Sequence, residues 1–171
     1  ATIYMNGKPV ENTKADFETR IGQAMDDLIK RVYGKLEHIT AAKGPNDLAK
    51  ALRKEKPVLE LDVENTENEL ALDDLKTYIQ LVGQVSLRNV KDKFALAPYG
   101  FIDDDINWLV GKLFMDGKLT VSINGEIMSS VAINDKLMFD YITKKQYQDK
   151  LLLMVREAVS ARLKGSVNEV A

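Results

Sequence analysis

The sequence predicts an α+β fold, mostly helical: an N-terminal β-hairpin and long helix, then a winged-helix-like unit, then C-terminal helices. Three observations carry that prediction. Apolar residues recur at three- and four-residue steps over several separate stretches, the signature of helices with one buried face. Two Asn-Gly pairs are flanked by β-formers, the turn chemistry of tight hairpins. The second of these hairpins follows three consecutive helical segments, which is the order of a winged helix.

Taken in order, Thr2 to Val10 surround Asn6-Gly7 and read as a small hairpin. From about Lys14 the residues Phe17, Ile21, Ala24, Met25, Leu28, Val32, Tyr33 and Leu36 form one stripe of a long helix, with Glu18, Arg20, Asp26, Asp27, Lys30 and Arg31 on the opposite face. A stripe of this kind is expected to be core. The run Ala41-Ala42-Lys43-Gly44 breaks the helix, and Pro45 opens a short second one through Asp47, Leu48, Ala51 and Leu52. Residues 60 to 74 carry seven acids and no base, the composition of a solvated connector. A boundary placed there divides the chain into a hairpin and helical subdomain (1–64), a winged-helix-like subdomain (65–134) and C-terminal helices (135–171).

In the middle unit, Leu72, Leu75, Ile79 and Val82 mark a first helix, Gln84 to Leu87 a short strand, and Val90 and Phe94 a second helix stopped at Ala97-Pro98-Tyr99-Gly100. Ile106, Leu109, Val110 and Leu113 form the stripe of the third. Residues 118–123 and 126–133 flank Asn124-Gly125 and are the candidate wing. Asn134 caps a short helix, and Tyr147, Leu151, Met154, Val155 and Ala158 are spaced for a long last one.

Composition narrows the chemistry. The 171 residues contain no cysteine and one histidine, which excludes disulfides, thiolate sites, a histidine pair for zinc and a serine triad. His38 is expected at a helix end, interacting with its dipole or with solvent. Asp103-Asp104-Asp105 opens the third helix, where carboxylates stabilise the unpaired N–H groups; consecutive helical residues diverge by about 100° and do not converge on one metal ion. None of the 10 glycines belongs to a Gly-x-x-x-x-Gly-Lys-Ser/Thr phosphate loop. No catalytic, metal or cofactor-binding residue is assigned.

Charge gives no general pull toward nucleic acid or membrane, with 24 basic against 26 acidic residues. Over residues 71–133 eight acids face six bases, and the third helix begins with three aspartates, so phosphates are repelled from the edge a winged helix normally inserts. The most basic piece is the last helix, with Lys144, Lys145, Lys150, Arg156, Arg162 and Lys164 against Asp149 and Glu157. The candidate interaction residues are therefore Trp108, as an aromatic anchor or a core residue, and Lys118, Lys144, Lys145 and Lys150. No apolar run reaches the roughly 20 residues that span a bilayer, and a cytoplasmic setting is expected.

The motifs Ala97-Pro98-Tyr99-Gly100-Phe101-Ile102-Asp103-Asp104-Asp105-Ile106-Asn107-Trp108-Leu109-Val110 and Gly117-Lys118-Leu119 resemble a region of the large P-loop proteins of BREX phage-defence systems, the BrxC-like family. Tyr4 to Lys8 with the following helix, Asn68 to Leu72, and Ile142 to Gln146 extend the resemblance over most of the chain. It implies a parent that binds and hydrolyses ATP with Mg²⁺ and works with other defence proteins. The segment itself is expected to be a non-catalytic accessory region that contacts the rest of the parent or its partner proteins. The rival expectation is a DNA-binding winged helix using the wing and the basic last helix; otherwise only weak DNA contact is expected.

Overall fold

The computed structural model describes residues 4–5, 7–9, 16–53 and 67–156. The first hairpin forms as the turn chemistry requires: β1 (Tyr4–Met5) pairs antiparallel with β2 (Lys8–Pro9), and Gly7 takes φ +75°. Helix α1 (Phe17–Val32) starts at Asp16, whose side chain accepts the Thr19 N–H at 2.8 Å. A 3-10 turn (Leu36–His38) leads to α2 (Pro45–Leu52), which has its proline in the first turn, where the missing N–H is not needed. Residues 60–66 of the acidic connector lie outside the described residues. Glu69, Asp73 and Asp74, counted with the connector, belong to the next helix.

The winged-helix order follows. Helix α3 (Glu69–Val82) ends at Gly83 with φ +87° and turns directly into β3 (Gln84–Ser86). Ser86 caps α4 (Leu87–Ala95) by accepting the Asn89 N–H, and α5 (Asp103–Met115) is the third helix. Strands β4 (Leu119–Ile123) and β5 (Glu126–Met128) turn through Asn124 and Gly125, both at positive φ, the geometry a type I′ turn needs. The second arm of this hairpin stops at Met128, short of the expected residue 133.

Helix α6 (Asp135–Thr143) is capped by Asn134 as expected, but the long last helix is not there. After a 3-10 turn (Lys145–Tyr147) the chain forms β6 (Leu151–Val155), which lies between β3 and β4 in an antiparallel sheet of order β3-β6-β4-β5. The physical reason is burial. Leu151-Leu152-Leu153-Met154-Val155 is a short apolar run compatible with either period, and in the sheet Leu151 and Leu153 point into the core, with Leu153 between Val85 and Val121. Ala158, Arg162 and Lys164, also assigned to that helix, lie outside the described residues.

One buried cluster joins α2 through Leu48 and Leu52, α3 through Leu75 and Ile79, α4 through Phe94, α5 through Ile106, Leu109, Leu113 and Phe114, and α6 through Met138 and Ile142 to the inner face of the sheet. The stripe of α1 is not part of it. Ala24 is buried, but Phe17 is 58% exposed and Leu28 40%, and Ile21, Met25, Ile29 and Val32 are exposed as well. Amphipathic periodicity records that a helix has an apolar face. It does not place the partner of that face in the same fold.

Candidate interaction site

In α5 every residue from Asp105 to Gly111 is buried, together with Leu113 and Phe114. The helix is enclosed: α3, α4 and β4 of the winged-helix unit pack on it, and so do α2 and α6. The closest approach is at Gly111, where a Cβ would fall 2.6 Å from Leu48 Cδ1 and 3.6 Å from Leu52 Cδ2. Glycine in mid-helix costs about 1 kcal/mol relative to alanine, and the depth to which α2 packs accounts for its presence here.

A strap formed by residues 33–43 holds this cover in place. The Tyr33 ring fills the space beside Gly100, where a Cβ would come within 2.7 Å of it, and Lys35 N–H donates to the Pro98 carbonyl at 2.9 Å. Asp74 receives both the Lys35 ammonium and His38 Nδ1, each at 2.5 Å, and this carboxylate raises the Lys35 pKa. His38 thus binds an acid on α3 and does not cap α1, because α1 has already ended at Val32. Further along, the fully buried Asn68 side chain accepts the Ala41 N–H and donates to the Ala41 carbonyl, both at 2.9 Å, tying the strap to the start of α3. Asn68 itself sits at φ +60°, a conformation asparagine tolerates better than most residues.

Lys43 closes the strap over the third helix. Its N–H donates to Asp105 Oδ1 at 2.7 Å, its ammonium pairs with Glu67, and its Nζ lies 4.9 Å from the centre of the Trp108 ring. Burial pushes the Asp105 carboxyl above its ordinary pKa, and the Lys43 N–H partly opposes that shift. The three aspartates diverge, as expected of first-turn residues: Asp103 pairs with the buried Lys91 at 3.3 Å and Asp105 turns inward to Lys43. Among the described residues no group of acids and histidine is arranged to hold a metal ion.

The candidate interaction residues do not form one patch. Trp108 is 5% exposed and is a core residue beneath Lys43. Lys118 is exposed at the foot of β4, where its carbonyl accepts the Arg156 N–H at 3.0 Å. Lys144 ends α6 and pairs with Asp140 at 2.7 Å, Lys145 opens the 3-10 turn, and Lys150 precedes β6, all three exposed. With β6 in place of a helix, the expected basic face is broken up, and Arg88 of α4 is paired with Asp149. Sequence reasoning missed Lys43, Asn68 and Gly111. A glycine inside the stripe of the third helix was the one available signal, since mid-helix glycine often marks a close approach.

Helix α3, strand β3, helices α4 and α5 and the β4–β5 hairpin reproduce the winged-helix order, and the family model of the BREX ATP-binding protein BrxC winged helix-turn-helix domain matches residues 32–157. The chain belongs to this family. The match begins at the last residue of α1 and takes in the strap, α2 and α6, so the elements that cover the third helix are part of the BrxC domain as much as the three helices and the hairpin. No solved structure matches the chain. Among the described residues no helix of this BrxC domain is long and apolar enough to cross a membrane.

Proposed function

We propose that this domain is a non-catalytic contact module of an ATP-binding BREX protein, joining other parts of that protein or its partner proteins, and that it does not read duplex DNA. The observation that carries the reading is the cover on α5. A winged helix reads sequence by placing its third helix in the major groove, with polar side chains reaching base edges. Here α2 and α6 pack on α5, with Leu48, Leu52 and Ile142 against Gly111, and its first turn is acidic. Exposing it would require separating Leu48 and Leu52 from Gly111 and breaking the strap.

ATP and Mg²⁺ belong to the parent in this reading. At the start of the winged-helix unit β3 runs straight into α4 with no glycine loop between strand and helix, so that junction offers no cradle of backbone N–H groups for a triphosphate. Calorimetry with Mg-ATP is expected to give no binding heat.

The test is a titration of labelled duplex at low and at physiological salt, alongside co-expression of the domain with the other BREX proteins. Weak, sequence-independent and salt-sensitive binding to duplex, with retention of a BREX protein, is the expected result. Tight duplex binding at physiological salt that is lost on Lys118→Glu, or on Lys144→Glu with Lys145→Glu, would overturn the reading.

A further inference from the structure

The stripe of α1 lies just before the matched winged-helix residues and is left exposed by the fold described above. We infer that α1 pairs with the α1 of a second copy of this chain, antiparallel, across Phe17, Ile21, Met25, Leu28 and Val32. This stands independently of the protein-contact reading, because it uses none of the same residues.

The occupant follows from the charges along one edge of the stripe. Arg20 and Asp27, expected on the face opposite the stripe, fall about 100° to 120° from its centre at 100° per residue and, being seven apart, flank it along the same edge. When two helices pair antiparallel about a two-fold axis, each edge meets the same edge of its copy running the other way, so Arg20 meets Asp27 of the copy and Asp27 meets Arg20. Parallel pairing sets that edge against the opposite one, bringing Arg20 toward Met25 and Asp27 toward Val32 with no charge matched. The stripe is therefore self-complementary in one direction only. Its root is also fixed, since Tyr33 sits against Gly100 and Lys35 and His38 are tied to Asp74, which holds the end of α1 on the domain.

At about 1.5 Å per residue the 16-residue helix offers a seam of roughly 24 Å, too short for a tight dimer, so association should be visible as a concentration dependence. Sedimentation equilibrium of the full chain from roughly 1 to 300 µM is expected to show the mass rising from 19.2 kDa toward twice that value. Leu28→Lys should weaken association about tenfold or more while leaving the thermal melt unchanged, since Leu28 is outside the core. Arg20→Asp and Asp27→Arg should each weaken it, and the two together should restore it. A monomer throughout the range overturns the inference, including one whose stripe is covered only when a different protein is added. A dimer that ignores the edge charges, with the double exchange no better than either single one, overturns it equally.

Discussion

Replacing Gly111 with alanine tests how deeply α2 is seated on the third helix. The added methyl would fall 2.6 Å from Leu48 Cδ1, whereas comfortable carbon contacts are about 3.5 to 4.0 Å, so Leu48 or the whole of α2 must retreat by about 1 Å. Leu48 is 1% exposed, with Leu52 and Ile142 also near the new methyl, so it has no free volume to enter. Overpacking of this kind costs about 1 to 3 kcal/mol, and removing a mid-helix glycine returns about 1 kcal/mol. Gly111→Ala should therefore be neutral to about 2 kcal/mol destabilising in urea unfolding. The decisive comparison is with Leu48→Ala, which alone should cost about 2 to 5 kcal/mol. With the clash removed, adding Gly111→Ala to that variant should recover about 1 kcal/mol, so the two changes couple in a double-mutant cycle. If Gly111→Ala stabilises the unaltered chain by the full helix-propensity gain, α2 does not pack there and the cover on α5 is wrong.

Other expectations follow from the same contacts. Leu109→Ala, at a fully buried site, should lower stability by about 2 to 5 kcal/mol and Trp108→Ala by about 3 to 5, both read from chemical denaturation. For Asp105 the folded pKa is raised, so the folded state binds its proton more tightly than the unfolded one. The group's relative stabilisation is thus present below the unfolded pKa and lost as pH rises through the folded value. Asp105→Asn, which can still accept the Lys43 N–H, should flatten stability against pH in that window and be no less stable at neutral pH. Asp105→Ala, which strands that N–H, should cost about 1 to 3 kcal/mol. Lys145→Glu and Lys150→Glu, on exposed side chains, should change stability by about 0.5 kcal/mol or less.

Much of the winged-helix unit was legible because its signals are local. Asn124-Gly125 fixes a turn through positive φ, Pro45 and Asn134 mark helix starts, and Ile106, Leu109, Val110 and Leu113 show the period of the third helix. The features that set which faces are buried were not local. Whether Leu151–Val155 is strand or helix depends on the empty place between β3 and β4, since five apolar residues fit both periods. The exposure of α1 could not be read from its own stripe, because periodicity is the same whether the partner is inside or outside the fold. Trp108 was equally open between anchor and core, and it is buried in the main cluster with Lys43, which arrives from far away in the sequence, over its ring. Asn68, in a polar stretch of the chain, gives no hint that its side chain mates with Ala41.

The cover on the third helix has a natural reporter, because Trp108 is the chain's only tryptophan and lies within α5. Its fluorescence should be that of a buried indole and should stay unchanged as duplex DNA is titrated in at physiological salt. A saturable shift of the emission to longer wavelength would mean that α2 lifts away and α5 enters a groove, and that the third helix is not held covered.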